Sequence, residues 1–124
     1  MSNSVSFKFS QNIGHIYENI VFIELLRRKK ELYYWKSKKG QEVDFIVRKG
    51  LHITEAIQVC FSFGDERTRQ RELQALTELK DELKAEYLTV ITDDEESTVR
   101  VELPNGHSEV NIIPLWKWLL QIPE

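Results

Sequence analysis

Apolar residues crowd the N-terminal part of the chain at spacings that one helix stripe cannot hold. Between Gln11 and Lys30, the residues Ile13, Ile16, Tyr17, Ile20, Val21, Phe22, Ile23, Leu25 and Leu26 predict a helix packed on more than one side. Lys and Arg at its C-terminal end suit the helix macrodipole. The pattern then changes to period two. Leu32 to Ser37 and Glu42 to Arg48 read as strands joined by Lys38, Lys39, Gly40 and Gln41, and a turn at Lys49-Gly50 leads into a third strand from Leu51 to Cys60. These three predict an antiparallel meander. Helical spacing returns from Thr68 to Lys84, with Leu73, Leu76, Leu79 and Leu83 on one face and charges on the other. Tyr87 to Thr92 (YLTVIT) is a short apolar run of the kind that forms a buried central strand after a helical crossover. Thr98 to Leu103 and Glu109 to Ile113, joined by Pro104-Asn105-Gly106, predict a hairpin, and Pro114 opens a last helical turn carrying Leu115, Trp116, Trp118, Leu119 and Leu120. The expected fold class is α/β, a mixed central β-sheet flanked by helices.

Composition narrows this picture. With 41% hydrophobic and 30% charged residues in 124, and no repeat, low-complexity tract or linker, residues 1–124 read as a single domain able to bury a core. The single cysteine, Cys60, excludes an intramolecular disulfide, and no apolar run is long enough to span a bilayer. The N-terminus lacks the apolar region of a secretory signal, so the expected compartment is the cytoplasm, with no membrane partner. The net charge of −3 argues against a surface that is phosphate-binding throughout. Its distribution is uneven, with +5 over residues 1–50 and −8 over residues 51–124. The basic run from Arg27 to Lys39 reads either as a face for an anion or as a solvated helix end and hairpin.

Three polar residues stand where an uncomplicated core would have none. Glu18 shares a helical face with Val21, Phe22 and Leu25, three, four and seven positions on, and reads otherwise as a carboxylate at the edge of the buried stripe, paired with a lysine of the hairpin. Asp44 lies in EVDFIV, where strict alternation groups Glu42, Asp44 and Ile46 on one face and Val43, Phe45 and Val47 on the other. Gln58, in AIQVC, shares a face with Ala56 and Cys60. The Asp44 carboxylate, the Gln58 amide oxygen and the backbone carbonyl of Val59 make a donor set suited to Mg²⁺ or Mn²⁺. The same two side chains on adjacent strands also make an ordinary hydrogen-bonded edge.

The order of elements and these residues resemble the PD-(D/E)XK nuclease superfamily. The nearer resemblance is to the C-terminal domain of uncharacterised function found in many prokaryotic AAA-type ATPases, itself nuclease-like. It runs from NIGHIYENIVFIELLRR through YYWKSKKGQEVDFIV, EAIQVC and TRQRELQAL to IIPLWKWLL, nearly the whole chain, with Gly14, Glu18, Asn19, the YYW-to-EVDF hairpin and the Thr68-Arg69 helix start as its more specific pieces. The resemblance implies a restriction-endonuclease-like α-β-β-β-α-β core, followed here by a hairpin and a short helix. It implies a catalytic set in which Glu18 is the helix acid, Asp44 the metal-binding aspartate and Gln58 the (D/E) position. Cys60 stands where the catalytic lysine is expected. A thiol cannot orient a water or offset charge on a phosphate as a lysine does, and Gln58 brings one negative charge fewer to the cation. The expectation is therefore a degenerate module that binds nucleic acid or protein beside an AAA-type ATPase. An active Mg²⁺- or Mn²⁺-dependent DNase stands as the alternative, with a relocated cation from Lys36, Arg69 or Arg71.

The other residues add less. There is no G-x-x-x-x-G-K-[ST] phosphate loop, so the expected ATPase module is not in this sequence. His15, His52 and His107 have no metal-ligand spacing, and Ser62 has no placed base. Lys36, Lys38, Lys39 and Arg69 are the candidate DNA contacts, with Tyr33, Tyr34 and Trp35 as aromatic neighbours able to stack on bases. Trp116 and Trp118, two apart on a short helix, cannot both point inward, so one is free to cover a partner or a dimer seam. This leaves a homo-oligomerisation module without nucleic-acid binding as a third reading.

Overall fold

The computed structural model describes residues 2–61 and 63–121, with side-chain surroundings from residue 12 onward; Ser62, weighed above as a nucleophile, lies outside the described residues. Helix α1 spans Ser2–Arg27, and strands β1 (Glu31–Lys36), β2 (Glu42–Lys49) and β3 (His52–Val59) follow. Then come α2 (Glu66–Leu83), β4 (Tyr87–Thr92), β5 (Ser97–Leu103), β6 (Gly106–Pro114) and α3 (Leu115–Leu120). The predicted order is observed. Helix α1 begins nine residues before the expected Gln11, because Ser2 to Ser10 hold neither proline nor glycine to stop it.

Local chemistry sets the ends of these elements. The α1 helix closes with a left-handed Lys29 (φ 59°) while the Lys30 amide donates to the Leu25 carbonyl at 3.0 Å and the Lys29 amide to that of Leu26 at 2.9 Å. This is the Schellman arrangement, made without the usual glycine. The β1–β2 connection is organised by Ser37, whose Oγ accepts from the amides of Lys39 and Gln41, while Gly40 takes φ 88°. At the start of α2, Asp65 accepts from the Thr68 amide at 3.0 Å and hydroxyl at 2.9 Å, satisfying an otherwise unpaired helix donor.

The six strands form one mixed sheet in the order β1-β2-β3-β4-β6-β5. The meander β1-β2-β3 is antiparallel, β3, β4 and β6 run parallel, and β5 is antiparallel to β6. YLTVIT is thus central, with five of its six residues buried. Helix α2 covers one face, placing Ala75, Leu76 and Leu79 with Trp35, Val43, Ile46, Ala56, Val90 and Ile112. Helices α1 and α3 cover part of the other, where Val21, Leu25 and Trp118 meet Val47, Ile57, Val59, Ile91 and Ile113. Each fully buried Leu, Ile or Val contributes about 1.5–3 kcal/mol, so these two layers hold the sheet. Of the paired tryptophans, Trp118 is buried and Trp116 is exposed.

Strict alternation fails on β2, and the failure positions the site. Tyr33 pairs with Ile46 and Trp35 with Val43, so Asp44 and Phe45 together oppose Tyr34. That is a β-bulge, and it resets the faces. Val43 therefore packs with Ile46 on the α2 side, not with Phe45 and Val47 as expected from period two. The bulge leaves Asp44 near the boundary between the two layers.

Candidate functional site

The β2–β3 ladder runs from the Lys49–His52 pair to Phe45–Ile57. Past Ile57, β3 stays with β4: Val59 pairs with Ile91, and the Cys60 amide donates to the Ile91 carbonyl at 2.8 Å. Side chains bridge the strands where β2 and β3 diverge. The Gln58 Oε1 accepts from the Asp44 amide at 3.0 Å and its Nε2 donates to the Glu42 carbonyl at 2.9 Å. In return, Asp44 Oδ2 accepts from the Val59 amide at 2.8 Å. Gln58 is only 1% exposed, so both ends of its amide are engaged in a buried tie between strands.

A cleft of about 260 Å³ opens beside this tie, lined by Gly40, Glu42, Asp44, Gln58, Arg71 and Glu72 among others. Burial pushes the Asp44 carboxyl up to about 6, opposed by its bond from Val59 and reinforced by Glu18 and Glu42. Glu72 on α2 goes up to about 7, first through burial and then through the negative charge of Asp44. Two carboxyl groups of raised proton affinity thus face one cleft, with the Arg71 guanidinium 4.0 Å from Glu72 Oε1. Glu72 was not a sequence candidate, although it lies three and four positions before Ala75 and Leu76 on the buried face of α2.

The predicted residues fall into two groups. Asp44, Gln58 and the Val59 backbone converge on the tie, and Glu18 lies near enough for its charge to reach both Asp44 and Glu72. His15 Nδ1 lies 3.8 Å from Glu18 Oε2, where a hairpin lysine was the expected neighbour. Cys60 is buried among Trp35, Val43, Phe63 and Ala75. Lys36 lies 3.8 Å from Glu42, and Lys38 and Lys39 are exposed on the connection whose Gly40 borders the cleft. Arg69 is turned elsewhere, donating from Nη1 to both oxygens of Glu95 at 2.9 and 3.1 Å and stacking over the Phe63 ring at 4.6 Å.

The donor set offers a divalent cation one partly engaged carboxylate and one buried amide oxygen. Asp44 Oδ2 accepts one bond, from the Val59 amide, and Gln58 Oε1 accepts one, from the Asp44 amide. Among the described residues, no group of three or more His, Cys, Asp or Glu side chains could hold a metal ion. A larger cleft of about 420 Å³, lined by Glu55, Tyr87, Thr89 and Asn111 among others, collects none of the predicted residues. In it the Thr89 hydroxyl donates to Glu55 at 2.6 Å, and burial raises the Glu55 carboxyl's proton affinity. No helix among the described residues is long and apolar enough to cross a membrane.

Residues 13–118 match the family described as Domain of unknown function (DUF4143). The chain belongs to the DUF4143 family. Domains of this family commonly form the C-terminal part of AAA-type ATPases. Uncharacterized protein MJ1544 of Methanocaldococcus jannaschii is 34% identical across 93% of this DUF4143 chain, and the match occupies 26% of that protein. The chain therefore spans about a quarter of the length of the curated relative it matches.

Proposed function

We propose that this DUF4143 domain is a degenerate nuclease-like module of the PD-(D/E)XK type, which binds nucleic acid without cutting it as an accessory to an AAA-type ATPase. The succession α1, β1-β2-β3, α2, β4, with an antiparallel meander and β4 parallel to β3, supports a restriction-endonuclease-like core. The observation that carries the loss of cleavage is the Gln58 tie. The side chain at the acid position spends its amide on the β2 backbone, and the neighbouring lysine position is a thiol packed under α2. Phosphodiester hydrolysis of this type needs an ion and a positioned cation, and neither is supplied by that pair. Binding needs neither. Lys38 and Lys39 project from the connection beside the cleft, so a phosphate backbone lying on the hairpin would pass its mouth.

The test is anisotropy of a fluorescein-labelled DNA duplex titrated with the full chain at several salt concentrations, with a parallel cleavage assay in Mg²⁺ and Mn²⁺. Binding should weaken steeply with salt, Lys38→Glu with Lys39→Glu should lower the log–log slope by about 2, and no cleavage should appear. Unchanged affinity and slope in the double variant would remove the hairpin as the contact. Metal-dependent cleavage abolished by Asp44→Ala would replace this reading with an active endonuclease, in which Arg71 at the cleft is the relocated cation. Salt-insensitive self-association without DNA binding would leave the oligomerisation module instead.

A further inference from the structure

The sheet ends in two edges that differ in kind. At one end β1 pairs with β2 through the bulge between Tyr33 and Trp35, and a bulge twists an edge away from further pairing. At the other end β5 pairs with β6 in unbroken register, from Ser97–Ile112 to Leu103–Gly106, with no proline before Pro104 just past its end. The hairpin turn sets which backbone groups of β5 are left unused. Only Pro104 and Asn105 separate Leu103 from Gly106, so that pair is of the hydrogen-bonded kind, and by alternation so are Val101–Ser108 and Val99–Val110. Thr98, Arg100 and Glu102 therefore point their N–H and C=O groups off the sheet.

The side chains of this edge alternate in the same way. Val101 is buried, Val99 packs partly against the cluster under α2, and Leu103 is half-buried in the same row. On the opposite face Arg100 and Glu102 are 63% and 74% exposed. Val99 to Leu103 is thus symmetric about Val101 in its apolar positions and antisymmetric in its charges. A strand of that pattern is complementary to its own copy laid antiparallel. Only alternate registers bring the unused groups of two such strands opposite each other. Centring on Arg100 sets guanidinium against guanidinium, and centring on Glu102 sets carboxylate against carboxylate, both destabilising. Centring on Val99 pairs Arg100 with Thr98 and Val101 with Ser97, which answers neither the charges nor the apolar row. Centring on Val101 puts Arg100 opposite Glu102 of the second copy, Val99 opposite Leu103, and Val101 opposite Val101. Arg100 already donates to its own Glu102 at 3.0 Å, so the second carboxylate joins that pair without replacing it.

We propose that β5 pairs antiparallel with β5 of a second copy, two-fold about Val101, and joins two sheets into one across this edge. The Arg100–Glu102 pairs exchange main-chain bonds in both directions, the apolar rows close against each other, and the charges fix the register. The strand order puts β5 at the edge opposite β1, so the basic hairpins lie at the far ends of the joined sheet and the pairing is independent of the nucleic-acid reading.

The test is sedimentation velocity of the full chain from micromolar to millimolar concentration, with amide hydrogen exchange at the two extremes. Wild type should pass from monomer to dimer, and exchange at the Arg100 and Glu102 amides should slow at least tenfold in the dimer. Arg100→Glu and Glu102→Arg should each weaken self-association at least tenfold, since one sets Glu against Glu and the other Arg against Arg. The double swap should restore it, and an equimolar mixture of the two single variants should form a heterodimer. The changed side chains are exposed, so the melting temperature of the dilute variants should stay close to wild type. A monomer at every concentration would overturn the proposal. So would a dimer indifferent to the single swaps, or one that leaves the Arg100 and Glu102 amides exchanging as in the monomer, because another surface would then hold it.

Discussion

Replacing Gln58 by methionine keeps the length and volume of the side chain and removes both of its hydrogen bonds. The Asp44 amide and the Glu42 carbonyl are left without their partner at a side chain only 1% exposed. A deserted buried polar group costs about 1–3 kcal/mol, and the adjoining cleft lets water relieve part of this, so a total of about 3 kcal/mol is expected. For a 124-residue chain, an unfolding entropy of about 2.1 cal/mol/K per residue turns this into a fall of about 11 °C in melting temperature. Gln58→Glu separates the tie from electrostatics. It keeps an acceptor for the Asp44 amide, loses the donor to Glu42, and sets a third carboxyl beside Asp44 and Glu72. Its cost should therefore start at about 1 kcal/mol near pH 5 and grow by about 2 kcal/mol or more by pH 8, as like charges accumulate. Urea denaturation followed by circular dichroism at both pH values measures each figure. A methionine variant within about 0.5 kcal/mol of wild type would refute the view that Gln58 holds β2 to β3, because a loss of two buried bonds cannot be that small. A pH-independent cost for the glutamate variant would refute the shared field of the three carboxyl groups.

Two further outcomes follow from the same geometry. Glu72 ionises at about 7 in the fold against an ordinary value of 4.5, so the folded state holds its proton longer than the unfolded chain and stability falls as pH rises from about 4.5 to 7. Glu72→Gln should therefore stabilise by about 2 kcal/mol at pH 8 and change little at pH 4, measured as paired thermal melts; an equal effect at both pH values would contradict it. Arg28→Met should cost about 2–3 kcal/mol and shift tryptophan emission, because Arg28 donates to the carbonyls of Trp118 and Gln121 at 3.2 and 3.1 Å, stacks over Trp118 at 4.6 Å and is bonded to Glu24. Adding Glu24→Gln should recover part of that loss, since Arg27 and Arg28 hold the Glu24 carboxyl down at about 2 and Arg28→Met leaves that charge half-answered.

Period and turn chemistry made the scaffold legible in the sequence. Gly40 and Gly50 marked the two turns of the meander, and YLTVIT marked a strand buried on both faces. The site was legible only in part. Asp44, Gln58 and Glu18 stood out as polar residues beside apolar ones, but the bulge that aims Asp44 has no glycine or proline to announce it, and alternation therefore assigned Val43 to the wrong face. Glu72 was hidden for a different reason. The stretch TRQRELQAL is dense in charge, so an acid in it reads as solvated, yet it holds helical register with Leu76 and Leu79. The neighbour test that selects Glu18 on α1 also selects Glu72 on α2.

The surplus of apolar residues on α1 and the polar tie at β2–β3 are departures of opposite kind from a self-sufficient fold. A helix that served only this sheet would need the Val21 and Leu25 side, and solvent-facing residues elsewhere would cost nothing to make polar. Ile16, Ile23 and Leu26 instead expose apolar area that monomers ordinarily keep small. At the tie, an apolar pair could fill the same gap between strands, whereas Gln58 and Asp44 keep polar atoms at the floor of a cleft, where the Asp44 charge adds to the burial that raises Glu72. The exposed strip adds nothing to the core that Val21 and Leu25 already close, whereas the tie holds β2 to β3 by polar atoms at the edge of a cleft.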